Sequence, residues 1–552
     1  MTASPPSIVG NVVDIGARRV FAAQVRVADG RIAAVEPVDA TPSTYLLPGF
    51  IDAHVHVESS MLVPSEFARA AVVHGTVATV SDPHEIGNVL GIAGVHYMLE
   101  SGAQTPFKFY FGAPSCVPAT TFETAGATIT VDEVRELLDD PRIVYLSEMM
   151  NFPGVLGGDP ECLAKIAAAH KRGKPVDGHA PGLRGDEAVR YIAAGITTDH
   201  ECFTKQEALD KLSAGAKISI REGSAARNFD ALVTLLGEFP LETMLCSDDK
   251  HPDELLAGHI NVLVRRAVEQ RINLFDVLQA ACINPIDHYS LNVGRMRVGD
   301  PADFIEVDSL RSFHVLRTWI DGNLVAEKGK TTIPRVEPAV VNQFVATEVA
   351  AAELAVPETP GTLQVPGALQ VIEALDGQLI TNRLVVTPTT DNGQVIGDVE
   401  ADLLKIVVVN RYKKAPPTVA FVKGFGLRRG AMASSVAHDS HNVIAVGVSD
   451  LDLAAAINAV MDAGGALSAV CQAEGVEHVL PLPVAGLMAT GTCAEVAAAY
   501  QKLDAAVKDW GSPLRAPYMT LSFMALLVIP ELKLSDLGLF DGGKFQFTPL
   551  LV

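Results

Sequence analysis

The chain has 552 residues, of which 48% are hydrophobic and 20% are charged, and its formal net charge is −22. This composition excludes a disordered chain, and so acidic a protein is a poor nucleic-acid binder because phosphate neutralisation needs clustered Lys and Arg. No uninterrupted apolar run is long enough to span a bilayer, so we expect no membrane partner.

The seven cysteines are scattered and never spaced as C-x-x-C, which excludes a zinc ribbon or a dense disulfide framework. The first residues, "MTASPPSIVGNVVDIG", lack the basic and apolar regions of a secretory signal. We therefore expect a cytoplasmic protein.

The N-terminal segment, residues 1–47, alternates apolar and polar side chains around the turn signal Ala28-Asp29-Gly30, which predicts a small antiparallel sheet. A second alternating segment lies in residues 292–345 and is expected to pair with the first. Together they predict a small β-sandwich domain built from segments on either side of the intervening region.

That intervening region, residues 48–291, alternates short apolar strands with helical stretches. Eight βα units predict a (β/α)8 barrel with its active site at the C-terminal strand ends, although a doubly wound open sheet has a similar rhythm. The eight strand candidates are "FIDAHVHV", "GTVATVSD", "FKFYFGAP", "IVYLSEM", "KPVDGHA", "GITTDHE", "AKISIRE" and "ETMLCSDD".

The rest of the chain divides into a linker and a further domain. Residues 346–366 carry the Pro, Gly and Thr mixture typical of a linker. Residues 367–552 contain strand-like stretches such as "DLLKIVVVNRY" and helix-like stretches such as "LDLAAAINAVMDAGG", which predict a C-terminal α+β domain.

Polar residues at the predicted barrel strand ends carry the chemical signal. His54 and His56 alternate in a strand, so both imidazoles face the same side. One buried histidine is more often a hydrogen-bonded core residue, but four imidazoles and two carboxylates at one barrel face favour two divalent transition metals over Ca²⁺ or Mg²⁺. The six candidates are His54, His56, Glu148, His179, His200 and Asp248.

At this point the sequence resembles a known family. The motif "PGFIDAHVHVESS", with "SD" closing the last strand, resembles the amidohydrolase superfamily. The longer motifs "VSDPHEIGNVLG", "LSEMMNFPGVL", "DGHAPGL", "REGSAARN" and "VAHDSHN" resemble its bacterial adenine deaminase family, from about Pro48 to beyond Asn442. The resemblance implies that the six strand-end residues bind two metal ions.

One departure from many superfamily members bears on the metal. Their fourth strand often carries a carboxylated lysine, whereas this chain has Glu148 and no lysine there. A glutamate bridge is what the adenine deaminase family implies, with two Mn²⁺ ions as the expected cofactors and Fe²⁺ as the alternative.

The resemblance implies hydrolytic deamination of adenine, a small-molecule purine base, to hypoxanthine and ammonia by a metal-bridging hydroxide that attacks C6. Asp248 is expected to move the proton from hydroxide to departing amine, with His200 and Glu148 as further catalytic candidates.

Two alternatives to this function are a cyclic-amide hydrolase of the dihydroorotase or hydantoinase type and a non-enzymatic metal-binding or assembly protein. The missing strand-four lysine argues against the first alternative, and the intact ligand set argues against the second. The apolar content permits a homo-oligomer without requiring one.

The segment "SDPHE" supplies Asp82, His84 and Glu85 at the end of the second predicted strand. They are candidates for a secondary metal site or a purine contact. A polar loop that caps the following helix explains the same residues equally well.

The segment "IREGSAARN" supplies Arg221, Glu222 and Ser224 at the end of the seventh predicted strand. These side chains are candidates for recognising purine nitrogens, since a planar base needs placed donors and acceptors in an apolar pocket. An ion pair at the barrel rim is the alternative.

The segment "ASSVAHDSHN" supplies His438, Asp439 and His441 in the C-terminal region. We expect them either to close the pocket over the barrel mouth or to form a structural polar turn. No G-x-S-x-G elbow accompanies them, which argues against a hydrolytic triad.

Overall fold

The computed structural model describes residues 7–358 and 368–552, and a ring of parallel strands lies at its centre. Each of the eight predicted segments contains one of these strands. Their bounds are Phe50–Val55, Thr76–Ser81, Lys108–Ala113, Ile143–Met149, Val176–Gly178, Thr198–Asp199, Lys217–Arg221 and Thr243–Cys246.

Hydrogen bonds join these strands into a closed barrel. The first five pair in parallel in chain order, as do the last three. The Thr197 N–H donates to the Val176 carbonyl at 2.8 Å, which links the fifth strand to the sixth. A parallel bridge between Val55 and Asp248 links the first strand to the eighth. The predicted barrel is therefore confirmed, and the open-sheet alternative is excluded.

Helices cover the outside of the barrel, which explains why its strands are apolar on both faces. Local side chains start several of them: Asp159 accepts two backbone N–H groups, and Thr130 forms a capping box with Glu133. The α-helices of this region are Pro64–Ala71, His84–Leu90, Ile92–Gly102, Val131–Asp139, Phe152–Gly157, Pro160–Lys171, Gly185–Ala193, Lys205–Ser213, Phe229–Leu232, Leu235–Glu238, Pro252–Ala257, Ile260–Glu269, Leu274–Leu278 and Asn284–Tyr289.

One eight-stranded sheet is built from two parts of the sequence, since four of its strands precede the barrel and four follow it. The two halves meet where Tyr45–Pro48 pairs antiparallel with Phe304–Val307. The remaining strands are Ser7–Asp14, Arg19–Ala28, Arg31–Pro37, Val315–Ile320, Asn323–Glu327 and Lys330–Thr331.

The C-terminal region is a second eight-stranded sheet with helices and two small three-stranded sheets. Its main strands are Leu369–Ala374, Thr381–Val386, Leu404–Val409, Thr418–Lys423, Ala431–Ser434, Val443–Gly447, Ala466–Cys471 and Val476–Pro481, and its α-helices are Asp450–Asp462, Cys493–Asp509 and Pro517–Phe523. The small sheets comprise Val356–Pro357, Thr389–Asp391 and Gln394–Ile396, and Leu532–Ser535, Gly538–Asp541 and Gln546–Phe547. Residues 359–367, which include the end of the predicted linker and the first residue of the predicted C-terminal domain, lie outside the described residues.

The C-terminal region packs against the barrel. The Ala489 N–H donates to the Met61 carbonyl at 2.8 Å, and the Asn442 side chain donates to the Thr124 carbonyl at 2.8 Å. One hydrophobic cluster runs continuously from the barrel into the C-terminal sheet. In the described parts of the chain, no helix combines the length and apolarity needed to cross a membrane.

Candidate active site

Glu148 lies at the centre of a buried cluster at the C-terminal end of the barrel. It belongs to the fourth barrel strand, Ile143–Met149. Its Oε2 atom lies 2.8 Å from His179 Nδ1 and 3.1 Å from His200 Nε2. Its Oε1 atom lies 3.4 Å from His56 Nε2. One carboxylate therefore contacts imidazoles that follow the first, fifth and sixth strands.

Asp248 closes the other side of the cluster. Its Oδ1 atom lies 3.6 Å from His54 Nε2 and 3.3 Å from His56 Nε2, and these two nitrogens are 3.2 Å apart. The residue follows the eighth strand, and its φ of 55° lies in the left-handed region that non-glycine residues rarely adopt. Such backbone strain concentrates at functional sites. The six residues predicted from the strand ends thus converge in space.

These donor atoms fit a divalent metal site. Two ligands on one ion, each bonded at about 2.0–2.2 Å, lie roughly 3–3.6 Å apart, as the atoms of this cluster do. The possible ligand groups include His54, His56 and Asp248 together, and His54, Glu148 and His200 together.

The charges within the cluster favour ionised carboxylates. Burial alone would raise the pKa of Glu148, but His179 and the other imidazoles hold it well below its ordinary value. Burial would likewise raise the pKa of Asp248, which Arg221 instead holds well below its ordinary range. Burial lowers the pKa of His54 well below its usual value. Despite burial, neighbouring carboxylates raise the pKa values of His56, His179 and His200, so these imidazoles must lose a proton when they bind a metal ion.

Asp82 and His84, two of the three candidates that follow the second strand, lie against the cluster. His84 Nδ1 lies 3.0 Å from Asp82 Oδ2 and 3.7 Å from Glu148 Oε1. Asp82 Oδ1 also accepts the His84 N–H at 3.1 Å, so the same loop supports the start of the next helix. Glu85 Oε1 lies 3.5 Å from His84 Nε2 and 2.6 Å from His438 Nδ1, so Glu85 joins this segment to the C-terminal wall of the cavity.

Arg221 lies behind the cluster. Its Nη1 atom is 2.5 Å from Asp248 Oδ2 and also contacts Glu201 Oε1, while its Nη2 is 2.7 Å from Glu201 Oε2. The guanidinium is buried and holds two carboxylates. This position makes it a support for Asp248, and a purine contact by Arg221 stays a prediction.

Glu222 and Ser224, the other two candidates from the segment "IREGSAARN", form a polar network beside the site. Glu222 Oε1 lies 3.3 Å from Arg227 Nη1 and 2.5 Å from Arg266 Nη1. Ser224 Oγ donates to Glu254 Oε2 at 3.0 Å. Neither Glu222 nor Ser224 lines the cavity at the buried His, Asp and Glu cluster, so their recognition of the purine also stays a prediction.

Two acidic residues of the site were not among the residues predicted from the sequence. Glu201 Oε1 lies 3.5 Å from His200 Nε2 and 3.6 Å from His179 Nδ1. Asp249 lines the cavity and accepts a hydrogen bond from Ser59 Oγ at 2.5 Å. Each directly follows a predicted strand-end ligand, in "DHE" and in "SDD", so the doubled polar residues were the available signal.

A small cavity opens onto the cluster. The barrel supplies most of its polar wall and Met150. His441 does not line it, since its fully buried ring packs behind the wall against Glu85. The C-terminal region supplies Leu379, His438, Asp439, Phe523 and Leu526.

A (β/α)8 barrel with this buried His, Asp and Glu cluster defines an amidohydrolase, and residues 45–325 match the model of the amidohydrolase family. Residues 378–546 match the model of the adenine deaminase C-terminal domain. The chain is 57% identical to an adenine deaminase of Salinibacter ruber, over 99% of both chains. It is 55% identical to an adenine deaminase of Sulfurovum sp., over 97% of this chain and 98% of that one. The chain therefore belongs to the adenine deaminase family.

Solved structures resemble the chain over a smaller part. The β-aspartyl dipeptidase of Fervidobacterium islandicum AW-1 is 16% identical and covers 59% of this chain and 99% of its own, with a TM-score of 0.45.

Proposed function

We propose that this protein hydrolyses adenine to hypoxanthine and ammonia. The observation that carries the proposal is the identity of 57% with an adenine deaminase over 99% of both chains. That extent includes the barrel cluster and the C-terminal residues that line the same cavity.

The proposal includes two divalent transition-metal ions, with Mn²⁺ as the first choice and Fe²⁺ as the second. His54, His56 and Asp248 would hold one ion, His179 and His200 the other, and Glu148 would contact both. Bound ions would supply Lewis acidity and an activated water nucleophile at neutral pH. The mixture of imidazole and carboxylate donors supports a transition metal over Ca²⁺.

Asp248 moves the proton in the proposed reaction. As water oxygen bonds to C6 of adenine, the Asp248 carboxylate accepts a water proton. It then returns that proton to the exocyclic nitrogen as the C6–N bond breaks and ammonia leaves, and the second water proton passes to N1 of the hypoxanthine product. The position of Asp248 at the cluster, with Oδ1 3.3 Å from His56 Nε2, supports this role.

His200 and Glu148 fix the reacting geometry in this proposal. Their side chains lie 3.1 Å apart and are buried, so neither swings freely. Placing the reacting groups in a fixed arrangement removes much of the entropic barrier. Met150, Leu379, Phe523 and Leu526 provide the apolar walls that a purine ring needs and that keep bulk water out.

The test measures ammonia release from adenine, adenosine and cytosine as separate substrates by purified protein loaded with Mn²⁺. Ring opening of dihydroorotate, which releases no ammonia, is measured separately. We expect release from adenine alone and about two metal ions per chain by elemental analysis. Ring opening of dihydroorotate, or two bound ions without adenine turnover, contradicts the proposed substrate.

A further inference from the structure

The cavity wall supplied by the C-terminal region contains two adjacent polar side chains, His438 and Asp439. Both are buried and both line the cavity. His438 Nε2 and Asp439 Oδ2 have no hydrogen-bond partner among the described residues. A buried polar atom without a partner is costly, so a pair of them facing a cavity indicates a ligand that satisfies both.

A hydrogen-bonded chain behind the wall fixes the ring of His438. His441 Nδ1 accepts the Ala437 N–H at 3.2 Å, so the ring proton of a neutral His441 lies on Nε2, which contacts Glu85. An imidazole with this tautomer donates to Glu85 and does not offer Nε2 to a metal ion. Glu85 is therefore an acceptor for His441 and leaves its Oε1 atom to His438.

His438 donates to the same carboxylate. Its Nδ1 lies 2.6 Å from Glu85 Oε1, and a carboxylate can only accept, so Nδ1 carries a proton. The ring also stacks on Phe523, with centroids 5.0 Å apart and an interplanar angle of 29°. These contacts leave Nε2 as the one ring nitrogen of His438 that is free to meet a ligand.

His84 separates this pair from the reacting end of the cavity. Its Nδ1 lies 3.7 Å from Glu148, and its Nε2 lies 3.6 Å from Asp439 Oδ1. The His84 ring therefore lies between Asp439 and the metal-ligand cluster. A base with its reacting carbon at the cluster would present its opposite edge to His438 and Asp439.

Resting on the function proposed above, we propose that His438 and Asp439 read the edge of adenine opposite C6, where the acceptor N3 lies beside the donor N9–H. Asp439 can only accept, so it takes the hydrogen bond from N9–H. His438 Nε2 then donates to N3. A sugar on N9 removes the donor and places carbon against a buried carboxylate, so this pair selects the free base over the nucleoside.

The electrostatics agree with a donor at His438 Nε2. Burial alone would lower the pKa of His438, but Glu85, Asp249 and Asp439 raise it to about 9. The ring therefore carries both protons at neutral pH.

The test pairs each side chain with the ligand atom it is assigned to. Initial rates give kcat/KM for adenine, 9-methyladenine and 3-deazaadenine with the Mn²⁺-loaded wild type, Asp439→Ala and His438→Gln. We expect the wild type to prefer adenine over 9-methyladenine by about 10- to 100-fold, the range of a hydrogen bond to a charged group. Asp439→Ala should reduce that preference to about threefold and leave the 3-deazaadenine ratio unchanged. His438→Gln should reduce the preference for adenine over 3-deazaadenine and leave the ratio of adenine to 9-methyladenine unchanged.

Asp439→Asn retains the shape of the side chain and should give an intermediate ratio, which covers the case in which Asp439→Ala does not fold. Ser440→Ala is the control, because Ser440 lies in the same turn without lining the cavity. Unchanged adenine to 9-methyladenine ratios in both Asp439 variants overturn the inference while adenine turnover by the wild type persists. Absence of that turnover overturns the proposed function instead.

Discussion

Replacing Arg221 by methionine tests the support that lies behind Asp248, the proposed catalytic carboxylate. The guanidinium bridges Asp248 and Glu201 and is 2% exposed. Methionine keeps the length and apolar volume of the side chain but removes its charge. Two buried carboxylates then lose their shared cation.

The expected destabilisation follows from burial. Solvent does not screen this pair, and removing one member of a buried ion pair costs about 3–5 kcal/mol, mainly because the remaining charge is left uncompensated. Catalysis should fall further, since a displacement of about 1 Å at a reacting group lowers the rate by roughly 100-fold. Arg221→Met should therefore lower both the unfolding midpoint and kcat.

Thermal unfolding and initial-rate kinetics of Mn²⁺-loaded protein provide the assay. Arg135→Met is a matched control because Arg135 pairs with Asp132 at an exposed site, where a salt bridge is worth about 1 kcal/mol or less. Midpoint comparison is preferred to a single free energy, since multidomain chains often unfold in more than one step. An Arg221 variant that matches Arg135→Met in both midpoint and kcat refutes the reasoning.

Three further changes test other groups. Glu148→Gln should lower the bound metal measured by elemental analysis after dialysis, because one anionic contact to the imidazole cluster is lost; wild-type metal content with full activity contradicts its bridging role. Asp248→Asn should reduce kcat by about 100-fold or more with a smaller effect on adenine affinity in equilibrium dialysis, and equal turnover excludes it as the proton carrier. Burial lowers the pKa of Lys533 to about 7 in the folded protein, so the unfolded chain binds more protons between about pH 7 and 10.5. Wild-type stability should therefore rise by about 5 kcal/mol across that window. Urea unfolding of Lys533→Met at stepped pH should lack this rise, and equal pH dependence of stability in both proteins contradicts it.

The barrel and its central cluster were predictable because both follow from local patterns. Strands buried on both faces read as short apolar runs, and parallel strands bring their C-terminal ends to one face. His54 and His56 are two residues apart, so strand geometry alone makes them face the same side. No comparable rule indicated Glu201, which follows His200 at a point where the chain leaves the strand and can turn either way.

Residues that act across domains could not be assigned from sequence. Arg221 ends a strand whose faces are both buried, so nothing local shows whether it points to substrate or to Asp248. The side chains of His438 and Asp439 reach the cavity only because the C-terminal region docks on the barrel. That docking depends on surface shape and on hydrogen bonds such as Asn442 to Thr124, which no periodicity encodes.

The sheet that joins both sides of the barrel has a consequence for folding during synthesis. Its first four strands end at Pro48, and their partner strand begins at Phe304, roughly 250 residues later. At about 5–20 residues per second, ribosomes take about 10–50 s to deliver that partner. Throughout this interval the strand Tyr45–Pro48 presents an unpaired edge, the type of surface that recruits other chains. The nascent chain should therefore depend most on chaperone protection before the barrel is complete.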